Sequence, residues 1–174
     1  MSETDLELMN RFDTMAGTDL EALASTSLDV PTQRVLAEYA SENNTRVAEA
    51  LIHNSAVVDQ RAMAVAGLAT GFDPHSRLSF RLLELPKFRL DQVSEHLRAT
   101  FFRFTLKDFG QSLLHYRWVV ERQASLIRHH PDFGLFLSEV DDREQAWVDE
   151  LFRLYDAEAS KDEVIAFLFP NGVL

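Results

Sequence analysis

The chain reads as an all-α protein in which α-helical repeat pairs are followed by a long central helix and a C-terminal helical cap. Three observations predict this. Helix-start patterns recur while strand-like alternation is nearly missing. One helical pattern returns twice between Glu21 and Ala69. The stretch from Leu106 to His130 runs without proline and with a single glycine, Gly110. The expected organisation is one domain over residues 1–174, repeat-like over 1–75 and a helical continuation or cap over 76–174. A chain of 174 residues can bury about 70 % of its unfolded surface, so it needs no disulfide or metal staple.

Taken in order, Thr4 with Glu7 and Thr18 with Glu21 have the spacing of a capping box and predict two helix starts. The first helix is expected over Asp5–Met15, closed by Gly17, and the second carries Leu20, Leu23 and Ala24. Pro31 suits the first position of a third helix, where a missing amide costs nothing. Asn43-Asn44-Thr45 breaks that helix and caps a fourth over Arg46–His53, burying Val47, Ala50 and Leu51. Residues 56–69, rich in Ala, Val and Met, predict a helix buried on most sides, ended by Gly71 and Pro74. Asp91 is the expected cap of a helix running through Leu97, Phe101 and Phe104. Leu106–His130 then reads as one helix, stopped by Pro131. Asp141 with Glu144 opens an amphipathic helix whose apolar face is Trp147, Val148, Leu151, Phe152 and Tyr155. Ser160 with Glu163 caps the last helix.

The first copy of the repeated pattern opens Glu21-Ala22-Leu23 and ends Val35-Leu36-Ala37-Glu38-Tyr39-Ala40. The second opens Glu49-Ala50-Leu51 and ends Ala64-Val65-Ala66-Gly67-Leu68-Ala69, so the openings lie 28 residues apart and the endings 29. Such a period is typical of stacked helical repeats. A third, degenerate unit follows, with Val93-Ser94-Glu95-His96-Leu97 loosely matching the earlier endings. The run from Arg46 to Val57, with Asn54 at its turn, followed by Ala64–Ala69, resembles the leucine-rich repeat variant family of bacterial proteins, whose relatives are HEAT-like α-solenoids. In that family an Asn-Pro turn joins the two helices of each repeat. Here Ser55 stands in place of the proline, and Thr26-Ser27 replaces both residues in the first copy. The resemblance covers residues 21–69. It implies an arched stack of helix pairs that offers a surface to macromolecules, and no chemistry.

There is no cysteine, which excludes disulfide frameworks, thiolate metal sites and cysteine nucleophiles and fits a reducing compartment. The acidic N-terminus has no apolar core of signal-peptide length, and no stretch reaches the roughly 18 uncharged apolar residues of a membrane span. A cytoplasmic protein with no membrane association is therefore expected. Phosphate-loop, nucleophile-elbow and zinc-protease motifs are missing, and neither a cofactor nor a metal is expected. Glu49 and His53, four apart, form a permissible metal pair of a kind that also arises by chance in helices. His129-His130 complements a helix C-terminus.

The formal charge of −11 is unevenly placed. Residues 77–128 are net basic between two acidic flanks, an arrangement that allows either mutual neutralisation across the fold or separate surfaces for charged partners. Arg98, Arg103, Lys107, Arg117, Arg122 and Arg128 interleave with Phe101, Phe102, Phe104, Phe109, Tyr116 and Trp118. Phosphate-neutralising cations beside aromatic faces are what nucleic-acid binding uses. The competing reading places the aromatics in a core and pairs the arginines with the acidic flanks. Asp141, Asp142, Asp149 and Glu150 form a candidate acidic face for a protein partner. The function expected is a non-enzymatic protein–protein interaction module of inhibitor, immunity or adaptor type. The alternative is a nucleic-acid-binding helical protein that uses residues 98–128, and a carboxylate or histidine active site is a third reading.

Overall fold

A computed structural model describes residues 3–69 and 77–172; the expected breaks at Gly71 and Pro74, and His75, lie outside them. Among the described residues the structure is entirely helical, with eleven α-helices, short 3-10 turns and no strand. No helix among them is long and apolar enough to cross a membrane. The chain forms two compact units, Met1–Leu97 and Arg98–Leu174.

The first unit contains α1 (Glu3–Thr14), α2 (Gly17–Ala24), α3 (Val30–Asn43), α4 (Thr45–His53), α5 (Gln60–Ala66) and α6 (Leu78–Glu84). Side-chain caps set three of the starts. Asp29 accepts from the Thr32 amide at 2.9 Å, Asn44 from Val47 at 3.2 Å and Asp59 from Ala62 at 3.0 Å. Pro31 occupies the first turn of α3, as its missing donor allows. The two early capping boxes do not form: Thr4 lies inside α1, and α2 starts behind Ala16 with no side-chain cap. The helix expected over residues 56–69 is confined to Gln60–Ala66, because Asn54 turns the chain by accepting from the Ala56 amide at 3.0 Å.

Helices α3 and α5 pack together, α3 also meets α1 and α4, and α2 lies against α4. Elements that correspond in the two sequence copies, α2 with α4 and α3 with α5, thus lie side by side. Small side chains are buried on α3 and α5: Ala37, Ala40, Ala62, Ala64 and Ala66. The connecting loops are tied in series. The Asn54 amide donates to the carbonyls of Ala24 at 2.8 Å and Thr26 at 2.7 Å. One loop later the Lys87 ammonium donates to the carbonyls of Asn54 at 3.1 Å and Val57 at 3.3 Å. Burial lowers the Lys87 pKa below the usual lysine value. Bidentate pairing of Arg34 with Asp59, at 2.9 and 3.0 Å, ties α3 to the cap of α5. Where a third copy would place its second helix, the chain makes only a 3-10 turn, Leu90–Gln92.

The second unit is built on α7 (Glu95–His115), which begins in the first unit and spans about 31 Å at the usual helical rise. Ser94, and not Asp91, caps it by accepting from the Leu97 amide at 3.1 Å. The single helix expected over Leu106–His130 is divided: α7 ends at His115, Tyr116 leaves helical geometry at φ −137°, a 3-10 turn covers Arg117–Val119, and α8 runs Val120–Arg128. The break falls in a run of aromatic and β-branched residues, which lose side-chain freedom in a helix. Gly110, the weakest residue on propensity, is instead buried within α7. The chain continues through α9 (Phe133–Glu139), α10 (Asp142–Asp156) and α11 (Lys161–Leu168). Asp141 and Ser160 cap α10 and α11 as expected, accepting from the amides of Glu144 at 2.8 Å and Glu163 at 3.2 Å.

Here the core is aromatic. The Phe102 ring meets Phe136 at 5.1 Å, Phe133 at 5.5 Å and His130 at 6.0 Å, and Phe109 stacks on Phe152 at 5.2 Å. A regular offset relates α7 to the chain that follows. Arg98 pairs with Glu139, Arg103 with Glu144, Phe109 with Phe152, and Arg117 with the carbonyl of Ala159. Two of these, Arg103–Glu144 and Phe109–Phe152, join α7 to α10 with partner numbers rising together, so α10 runs parallel to α7, and α8 and α9 carry the chain back between them.

Candidate functional site

Parallel packing of α7 and α10, with α11 folded against both, leaves a groove of about 660 Å³ in the second unit. Leu106 from α7, Ala146 and Trp147 from α10 and Phe167 from α11 give it an apolar lining. Trp147 and Phe167 stack at 5.3 Å with 27° between their planes. Gly110 permits this closure, because a Cβ there would lie 3.1 Å from Leu168 of α11 and 3.8 Å from Leu151 of α10. Charged groups of both signs surround the lining: Arg103, Lys107 and Arg143 with Asp141, Glu144 and Glu150.

Most of these charges are already engaged. Arg103 donates to both oxygens of Glu144 at 2.6 and 2.7 Å, and this bond, with Asp141 adding a smaller attraction, raises the guanidinium pKa further. Glu150 accepts from Arg153 at 2.6 and 2.8 Å, which holds its carboxyl below the usual range.

The groove gathers residues from both candidate sets, Arg103 and Lys107 from the basic one and Asp141 and Glu150 from the acidic one. The remaining candidates lie elsewhere. Arg98 is buried, 7 % exposed, in a bidentate pair with Glu139 at 2.7 Å. Arg128 lies 4.5 Å above the Phe152 ring and bonds Asp156 at 2.7 Å. Arg117 donates to the Ala159 carbonyl at 2.9 Å, and Arg122 is exposed on α8. Asp142 and Asp149, one heptad apart, are exposed on the outer side of α10. Phe101, Phe102 and Phe109 are fully buried and offer no face to a base, whereas Trp118, expected in the apolar side of a long helix, is 65 % exposed.

Sequence reasoning did not single out Leu106, Arg143, Trp147 or Phe167 as site residues. The available signal was the spacing of Arg143, Trp147 and Glu150, which puts them on one face of α10 beside the buried Val148, Leu151 and Phe152. The Glu49–His53 pair is already occupied by a cation of the chain itself: the Arg81 guanidinium lies 2.9 Å from Glu49 Oε1 and 3.2 Å from His53 Nε2. No cluster of three metal-ligating side chains occurs among the described residues.

No protein-family model, curated protein or solved structure matches the chain.

Proposed function

We propose that the protein is a non-enzymatic protein–protein interaction module, of adaptor or inhibitor type and acting in the cytoplasm, that docks a partner in the groove of its second unit. The observation carrying this reading is the Trp147–Phe167 stack, an aromatic lining left within reach of solvent and bordered by charges. Interfaces draw most of their affinity from such aromatic anchors inside a polar rim. In the first unit, the side-by-side placement of α2 with α4 and α3 with α5 supports kinship with leucine-rich repeat variant and HEAT-like stacks, with the unit acting as a scaffold. Nucleic-acid binding through residues 98–128 is the weaker reading, since Phe101, Phe102 and Phe109 are in the core and Arg98, Arg103 and Arg128 hold carboxylates.

The test is a photocrosslinking amino acid placed at the exposed Ala146 position beside the groove and, as control, at the exposed Val58 position in the first unit. A stoichiometric crosslink in native extract from position 146 and not from 58, lost on Trp147→Ala, is the expected result. Equal crosslinking from both positions, or from neither, would overturn the proposal.

A further inference from the structure

Resting on that reading of the groove, we infer that its occupant is an acidic, apolar segment of a partner protein: bulky apolar side chains on the Trp147–Phe167 lining, with carboxylates reaching Lys107 and Arg143. The inference follows from which charges around the groove are satisfied. Each acidic group there has a partner within the chain. Asp141 caps α10, both oxygens of Glu144 are held by Arg103, and both oxygens of Glu150 by Arg153. The side chains of Lys107 and Arg143 make neither a hydrogen bond nor an ion pair among the described residues, and both border the apolar lining.

The local complement of an apolar surface carrying two uncommitted cations is an apolar group flanked by anions. Arg143 can bind a carboxylate through two parallel N–H donors, and Lys107 supplies a point charge from α7. A basic segment would instead meet two unsatisfied positive charges and carboxylates already committed elsewhere. The formal charge of −11 repels an acidic partner at long range, so recognition depends on contact in the groove and not on electrostatic steering.

The experiment is selection of displayed random peptides of about 16 residues, long enough for four helical turns, on the full chain, with subtraction of those that also bind Trp147→Ala. Enriched peptides should combine Asp and Glu with Phe, Leu, Ile or Trp. Their affinity should fall on the order of tenfold in Lys107→Glu/Arg143→Glu. It should stay within about twofold in Arg11→Glu/Arg46→Glu, which changes the formal charge equally on exposed residues of the first unit. The four reversed residues are exposed, and circular dichroism verifies that both variants fold. Enrichment of neutral or basic peptides that Trp147→Ala loses would overturn the acidic occupant and leave the groove as a docking site. Recovery of no peptide that depends on Trp147 would overturn both.

Discussion

The two units hold their helices together by different means. In the first, α3 and α5 bury several alanines, and polar side chains reach from one loop to the one before it: Asn54 to the 24–26 loop, Lys87 to the 54–57 loop. In the second, one long helix carries a phenylalanine core, and guanidinium–carboxylate pairs fasten it to the end of α9 through Glu139 and to its parallel neighbour α10 through Glu144. The contrast separates two uses of polar groups. In the first unit they mostly satisfy backbone carbonyls where loops turn, a requirement repeated from loop to loop, with the Arg34–Asp59 pair added between α3 and α5. In the second they fix the register of two helices distant in sequence. Truncating the aromatic core should therefore have the largest effect. Phe102→Ala, at a fully buried ring, should destabilise the second unit by about 4 kcal/mol. Both tryptophans of the chain, Trp118 and Trp147, belong to that unit, so urea unfolding followed by their fluorescence reads it directly.

The buried pair between α7 and the end of α9 makes a second, distinct prediction. Arg98→Met should cost about 3 kcal/mol, because the Glu139 carboxylate, 15 % exposed, is left without its counter-charge. Adding Glu139→Leu should restore most of the loss, since an apolar pair of similar volume removes both desolvation penalties. If the double variant is as unstable as the single one, the pair contributes more than charge compensation, and the contrast between the units narrows.

Legibility in the sequence follows the same division. The all-helical class and the caps at Asn44, Asp141 and Ser160 are readable, because capping and periodicity act within a few residues. Asn54 stood out as a turn residue, but its bonds to a loop 28 to 30 residues earlier are visible only in three dimensions. The division of the long helix at Tyr116 was missed, since the apolar pattern continues through a break that propensity alone marks weakly. Arginine pairing with the acidic flanks was one of two open readings of the charge pattern, and the specific partners depend on α10 running parallel to α7. Of the groove, Arg103, Lys107, Asp141 and Glu150 are legible by their charge, while Phe167 depends on how α11 folds back and leaves no local trace.

A pH prediction tests the first unit. Asp59 both caps α5 and pairs with Arg34. Burial by itself would raise its carboxyl pKa, but the bonds from Arg34 and the Ala62 amide outweigh burial and hold it below the usual range. A depressed carboxyl contributes stability that is complete above the ordinary Asp range. That contribution is lost as the pH falls from there through the lowered value, because the unfolded chain takes up its proton first. Asp59→Ala should cost about 2 kcal/mol near neutral pH by removing cap and ion pair together. Asp59→Asn, which keeps a cap acceptor, should cost about half of that. Amide exchange in α3 and α5 measures both, and the difference between wild type and Asp59→Asn should shrink in acid. A difference that persists unchanged below the carboxylate range would show that the ion pair is not what joins those helices.

The smallest expected effect tests how the groove is closed. Gly110 sits in mid-helix, where alanine is favoured by about 1 kcal/mol on propensity, yet its Cβ would press on Leu168 at 3.1 Å. The obstructing atom is the end of a flexible side chain, so Gly110→Ala should change stability by no more than about 0.5 kcal/mol, the two contributions nearly cancelling. Gly110→Leu should behave otherwise. The added volume cannot be accommodated by a shift of a few tenths of an ångström, and it displaces Leu168 and, with it, the helix that supplies Phe167 to the groove. Amide exchange should then accelerate in α11 while α10 stays protected, and crosslinking from position 146 should fall even though the fold persists. If α10 and α11 loosen together, Gly110 serves the core as a whole, and the groove is not separately built by the close approach of α11.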